Sequence, residues 1–340
     1  MTLVPHFFPF VVPLLVLTAY WSGASWAFRS VTWFFLCVLV LEFVAGKDSR
    51  ERDAAGVHSA ERYVLRLITW IWVPIHAALI TTGLLAVGDA SSNLPAIGIA
   101  LGTVGGMFGI PVAHELMHRS NRFERALAEI QMTMFSYAHF CIEHVEGHHT
   151  NVGTPRDPAT ARLGESVYQF LPRSVCGGFA HAWRLESARL RRQNRSVIGG
   201  SNRMLRYLLT TFALYFAIGR LFGTKGLLLF AVQSVVSIGI IEIINYVEHY
   251  GLTRCELQPG RYEKVTTEHS WNSNHRVSNW LLFNVPRHAD HHYEPNRAYP
   301  FVRHIESAPQ LPAGSLAMYI LALFPPLWRR IMDPLVRCST

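Results

Sequence analysis

KGLLLFAVQSVVSIGIIEIINYVEHYGL, residues 225–252, is an apolar run that ends in a histidine beside an acid. A helix crossing the hydrocarbon core of a bilayer needs about 20 mostly apolar residues. Residues 225–247 meet that length, and His249 then falls where the helix leaves the apolar layer. The same criterion applied to the whole chain finds runs at about 5–21, 30–46, 65–88, 94–114 and 204–222. The composition agrees. Half of the 340 residues are hydrophobic and only 16% are charged, against about 25% in soluble domains. The reading is an all-α membrane protein, a bundle of six transmembrane helices in a single domain, 1–340.

Two weaker apolar stretches, 126–142 and 314–328, are expected to lie at the interface or buried rather than to span. The first is interrupted by Glu129, Gln131 and His139, the second by two prolines. The N-terminus lacks the charged region and cleavage site of a signal peptide and is read as a retained first span. Basic residues concentrate in 47–66 and 184–206, whereas 89–93 (DASSN) has none. The positive-inside rule therefore puts both basic stretches in the cytoplasm. It leaves both termini and the segments 115–203 and 248–340 on that side. Arg220 and Lys225, between the last two spans, run against the rule. The net charge of +8 is thus explained by loop topology. No basic patch interleaved with aromatics points to nucleic acid. The cysteines, Cys37, Cys141, Cys176, Cys255 and Cys338, form no CxxC pair. That excludes a zinc ribbon, a thioredoxin motif and a built-in rubredoxin-like iron centre.

Of the 17 histidines, nine fall in four clusters. HELMH supplies His114 and His118, EHVEGHH supplies His144, His148 and His149, NYVEHYGL supplies His249, and RHADHH supplies His288, His291 and His292. Residues i and i+4 share one helix face, so two imidazoles so spaced can hold one ion. HELMH alone would also fit a zinc protease with Glu115 as base, but that leaves seven of the nine histidines without a task. Nine imidazoles exceed what one metal takes, and five plus four around two ions is the simple division. Imidazole suits iron, copper, zinc and nickel; two open redox sites favour iron. Glu115, Glu143, Glu146, Glu248 and Asp290 stand beside these histidines, and some of them, Glu115, Glu143, Glu248 and Asp290 first, are expected to take up imidazole N–H groups. The other eight histidines are read as structural, with His269 and His275 as the exceptions to watch. A metal transporter would place its ligands midway through the bilayer, whereas these clusters follow the spans.

In this order the four motifs resemble those of the integral-membrane alkane monooxygenases. TPRDPATAR (154–162), SWNSN (270–274) and ALFPPLWRRIMDP (322–334) extend the likeness over about 60–335. The resemblance implies six spans around a non-haem di-iron site at the cytoplasmic face of a bacterial inner membrane. The nine clustered histidines would be the iron ligands, with Asp157 a further carboxylate near them. It implies insertion of one atom of O2 into a terminal methyl group. Electrons would come from a separate rubredoxin or ferredoxin and its NAD(P)H-dependent reductase. HELMHR is more similar to the xylene and cymene branch and EHVEGHH to the alkane branch. An n-alkane giving a 1-alkanol is therefore the first expectation, an aryl-methyl group the second and acyl-lipid desaturation a third. Trp33, Phe34, Phe35, Trp70, Trp72 and Phe108 are candidates to line a channel for the apolar substrate. Gly102, Gly105, Gly106 and Gly109 are expected to allow close helix contact. Arg119, Arg122, Arg189, Arg191 and Arg192 could meet an acidic carrier or membrane lipid.

Overall fold

The computed structural model describes residues 3–21, 24–88 and 93–336. Residues 89–92 of the loop without basic residues and Cys338 lie outside them. The described chain is mostly helical, with almost no strand. A 3-10 turn over Val4–Phe10, set by Pro5 and Pro9, leads into α1 (Val11–Trp21), followed by α2 (Ala24–Ala45) and α3 (Ser59–Leu85). Helix α4 (Leu94–Val104) continues through a π-helical turn, Gly105–Gly109, into α5 (Ile110–Met117). The amphipathic α6 (Arg122–Thr133) and the one-turn α7 (Phe140–Ile142) replace the weak run 126–142. A second π turn, Glu143–His148, ends in the short α8 (His149–Asn151).

Helix α9 (Val167–Arg192) opens on a Ser166–Gln169 capping box. It is held to the start of α10 (Arg203–His249) by buried Glu186, which receives Arg189 and Arg203. After α10 come a small hairpin of β1 (Glu256–Gln258) and β2 (Arg261–Tyr262), then α11 (Arg276–Leu281), α12 (His288–Tyr293), α13 (Ser315–Ala322) and α14 (Pro325–Met332). Pro325 and Pro326 separate the last two, so 314–328 is two short helices.

Among the described residues, three helical segments are long and apolar enough to cross a membrane: Ser59–Gly88, Leu94–Met117 and Arg203–His249. The last contains a reversal. Gly223 has φ 63° and ψ −161°, a conformation closed to residues with a Cβ. The rings of Tyr215 and Phe230 lie 5.1 Å apart, although 15 residues (230 − 215) of straight helix would separate them by about 22 Å. The chain therefore turns back at Gly223, dividing the element close to the sequence-derived boundary between 204–222 and 225–247.

Glycines seat α4 against the second half of α10. A Cβ on Gly102 would come within 2.6 Å of Val236 Cβ and 2.7 Å of the Gln233 carbonyl oxygen. Gly98 meets Val232 and Gly106 meets Ile240 in the same way. These positions recur every four residues and form a smooth stripe that lets two backbones approach closely. Gly105 and Gly109 face Phe135 instead. Gly102→Leu is expected to force the helices apart and cost about 1–3 kcal/mol. Thermal unfolding of the detergent-solubilised protein checks this; an unchanged midpoint would show that the contact is looser than described. Exposed Leu36, Val40, Leu41, Phe43 and Val44 give α2 an outward apolar face. Buried Glu42 on its inner side accepts the Ser278 backbone N–H at 2.8 Å. That contact ties the end of α2 to α11 and so to the segment carrying the last histidine cluster.

Candidate metal centre

The helix ends bring all nine clustered histidines into two adjoining groups. His114, His118, His144, His149 and His291 form one; His148, His249, His288 and His292 form the other. Within each group the ligand nitrogens lie within 4.8 Å of one another. His114 and His118 are one turn apart on α5 and its C-cap, and stay together. His288 and His292, also four apart on α12, present Nε2 atoms 3.0 Å apart. His291, off their line, turns to the first group and approaches His149 Nε2 at 3.1 Å.

The π turn decides the division of EHVEGHH. A π helix aligns i with i+5, where an α-helix aligns i with i+4. His144 and His149, five apart, accordingly meet Nε2 to Nε2 at 3.1 Å. His148 points to the other group and meets His249 Nε2, also at 3.1 Å. Gly147 is close-packed on His181; a Cβ there would come within 2.8 Å of that ring.

Hydrogen bonding at the far side of two rings fixes what these nitrogens are. His148 Nδ1 lies 2.8 Å from Asp157 Oδ2 and donates to it. His249 Nδ1 faces the carbonyl oxygen of His269 at 3.4 Å and donates there. In the neutral ring Nδ1 then carries the single N–H and Nε2 a lone pair; burial favours that form at His148, while Asp157 holds its pKa above the ordinary value. Two lone pairs 3.1 Å apart cannot hydrogen-bond to each other, but they can share a cation. In the first group, the buried Nε2 atoms of His114 and His118 have no hydrogen-bond partner. Spacings of 3.0–3.1 Å are those of neighbouring ligands about 2.1 Å from one ion. The residues present therefore fit a metal in each group. Burial holds His144, His149, His288, His291 and His292 well below the usual imidazole value. They remain neutral, the form that binds metal.

Asp157 is set by its surroundings. Burial raises its pKa, but His148, its hydrogen bond and the Thr160 hydroxyl outweigh that and hold the carboxyl below its ordinary value. Thr160 Oγ1 donates to it at 2.6 Å and the Ala159 backbone N–H at 3.0 Å. Glu248 Oε2 lies 3.3 Å from His288 Nε2, on the side of the ring where a metal would sit.

The other acids named from the sequence are placed differently. Glu115 pairs with Arg119 and accepts the Tyr299 backbone N–H. Asp290 receives Arg297 and Arg303. Glu143 faces His181 Nδ1 at 3.2 Å, and Glu146 pairs with Arg203. A residue adjacent to a ligand on a helix projects about 100° away from it, so sequence adjacency carried these four away from the imidazoles. Trp33 is 67% exposed on the outer face. The Trp70 indole is bound by its N–H to Glu124 and packs on Phe123. Both are thus removed from an inner channel. Phe108 is fully buried against Phe35 and Trp72. The sequence reading did not single out the His269 carbonyl, a backbone group without a residue signature. His269 itself is held by Thr266 and Glu263, and His275 by Ser273.

Two adjoining groups of largely buried histidines at the ends of apolar helices form a site that could hold metal, in a chain with helices long and apolar enough to cross a membrane. The sequence profile of the fatty acid desaturase family matches residues 91–322. Alkane 1-monooxygenase 1 of Pseudomonas aeruginosa is 41% identical over 92% of this chain and 84% of its own length. The alkane 1-monooxygenase of Pseudomonas putida is 40% identical over 87% of this chain and 75% of its own. A hydroxylase component of a xylene/toluene monooxygenase, also from Pseudomonas putida, is 28% identical over 94% of this chain and 84% of its own. The chain belongs to the alkane monooxygenase family, and it is an oxidoreductase of the monooxygenase type.

Proposed function

We propose that this protein is a membrane non-haem di-iron monooxygenase that converts the terminal methyl group of an n-alkane to a 1-alkanol. The observation that carries the reading is the five-plus-four division of the nine imidazoles in a chain about 40% identical to alkane 1-monooxygenases. The nine histidines are its ligands: five hold one iron and four the other. The balance is one alkane, one O2, two electrons and two protons giving one alcohol and one water. When bound, iron would supply the activation of O2 that a strong, apolar C–H bond demands.

The chain's own residues do the rest. Asp157 orients His148 and fixes its tautomer; the His269 carbonyl does the same for His249. Six spans place both termini and the site at the cytoplasmic face of an inner membrane, with 1–340 a single domain. Electrons arrive from a separate rubredoxin or ferredoxin and its reductase, because the chain has no CxxC pair. Dependence of turnover on that carrier, with about two irons per chain, tests this reading. Turnover with the reductase alone would refute it.

An apolar cavity of about 220 Å³ lies between α2, α4, α10 and α13, lined by Phe35, Thr103, Met107, Ile240, Leu316 and Tyr319 among others. Met107 precedes His114 by seven residues (114 − 107), roughly 10 Å along a helix. The cavity suits an alkyl chain whose end reaches the metals. Leu316→Trp is expected to fill it and shift the preferred alkane toward shorter chains by a few carbons. Competition among C6 to C16 alkanes reads the shift; an unchanged profile would place the substrate elsewhere. The hydroxylase relative of the xylene/toluene system keeps an aryl-methyl group as the second substrate class.

A further inference from the structure

A second cavity, about 490 Å³, opens where the 3-10 turn Val4–Phe10 and the segment after α2 meet α11. We propose that it binds the phosphate head of an anionic phospholipid, with the acyl-glycerol part of that lipid against its aromatic wall. Its lining carries four arginines, Arg50, Arg52, Arg276 and Arg287, and one acid, Asp48. Asp48 is shared between Arg50 at 2.7 Å and Arg276 at 3.5 Å. Arg52 is paired with Glu61, yet its side chain is only 9% exposed and its buried Nε has no hydrogen-bond partner. Arg287 is spent on the carbonyls of Asp48 and Val302 and on Asn274. The cavity therefore keeps more cationic donors than its own acid and carbonyls can satisfy, which suits an anion with several oxygens.

Phe8 and Trp280 supply an apolar part of the lining. Phe8 packs on Trp280 and on Phe34 of α2, each pair of rings 6.2 Å apart. Phe7 beside it is 48% exposed. The outward apolar face of α2 runs up to Val44, four residues (48 − 44) before Asp48. The arginines thus begin where the apolar belt ends, at the level a lipid head occupies. Inorganic phosphate alone would have no use for the aromatic side. Arg287 immediately precedes His288, and it grips the 48–50 backbone. An occupant here braces the strand of chain that leads into α12.

The test is retained lipid on the full-length protein in a neutral detergent, counted by native mass spectrometry, and needs neither metal loading nor turnover. Phosphatidylglycerol, phosphatidylcholine and inorganic phosphate are added in separate arms. The expected result is one phosphatidylglycerol bound roughly tenfold more tightly than phosphatidylcholine, and roughly tenfold weaker binding in Arg50→Glu. Arg50 is 65% exposed at the rim, so that variant reverses the charge at the cavity mouth. Trp280→Ala, on the apolar wall, is expected to weaken lipid without affecting inorganic phosphate. Equal retention of the two lipids, or unchanged binding in both variants, overturns the proposal. Displacement of phosphatidylglycerol by inorganic phosphate at equal concentration overturns it as well, since the site would then take the free anion.

Discussion

His249→Ala is expected to abolish hydroxylation, with at least about a thousandfold loss, and to cut bound iron from about two ions per chain to about one. His249 Nε2 stands 3.1 Å from both His148 Nε2 and His288 Nε2, at the middle of the four-histidine group. Its removal leaves three imidazoles and a gap that water enters. The five-histidine group shares none of its residues, so one ion should remain. His291→Ala is the complement, weakening the other site and sparing this one. Elemental analysis beside product measurement separates the two effects. Full activity with two irons in His249→Ala would remove that residue from the ligand set.

Asp157→Asn is expected to lower activity or iron affinity about 10–100-fold while leaving the fold intact. The amide is the same size and can still accept from His148 Nδ1. It lacks the charge that makes the imidazole a stronger donor to metal, and it can flip to offer N–H instead. The same substitution has a signature in acid. The Asp157 carboxyl titrates below its ordinary value when folded. Its contribution is therefore present above the unfolded value of about 4 and is lost as pH falls through the folded one. Stability of the variant should depend less on pH below about 4. Equal iron affinity and equal acid unfolding in the two proteins would leave Asp157 without the orienting role.

The apolar runs 65–88, 94–114, 204–222 and 225–247 and the four histidine clusters were legible because both signals are local. A span shows in about twenty consecutive residues, and His114/His118 or His288/His292 show in a four-residue interval. The reversal at Gly223 fell in the right place for the same reason, between two apolar runs. What was hidden depends on helix type and on distance along the chain. The allotment of His148 away from His144 follows from a π turn, which periodicity at 3.6 residues does not reveal. Adjacency suggested Glu115 and Asp290 as imidazole partners, but arginines nearby claim both. Asp157, nine residues (157 − 148) beyond its histidine, was reached through the family resemblance and not through spacing. Trp33 and Trp70 show the limit of reading a channel from aromatic content. Which face of a span turns inward is set by packing, here by the Gly98, Gly102 and Gly106 stripe that fixes α4 on α10.

Oxygen insertion is the claim on which the site, the cavity and the family reading converge. The direct measurement supplies the purified, iron-loaded protein with a rubredoxin, its reductase and NAD(P)H, and offers octane and p-xylene under ¹⁸O2. The account predicts 1-octanol carrying ¹⁸O in its hydroxyl group, formed in step with electron consumption. Unlabelled alkenes, or an alcohol whose oxygen comes from water, would contradict it.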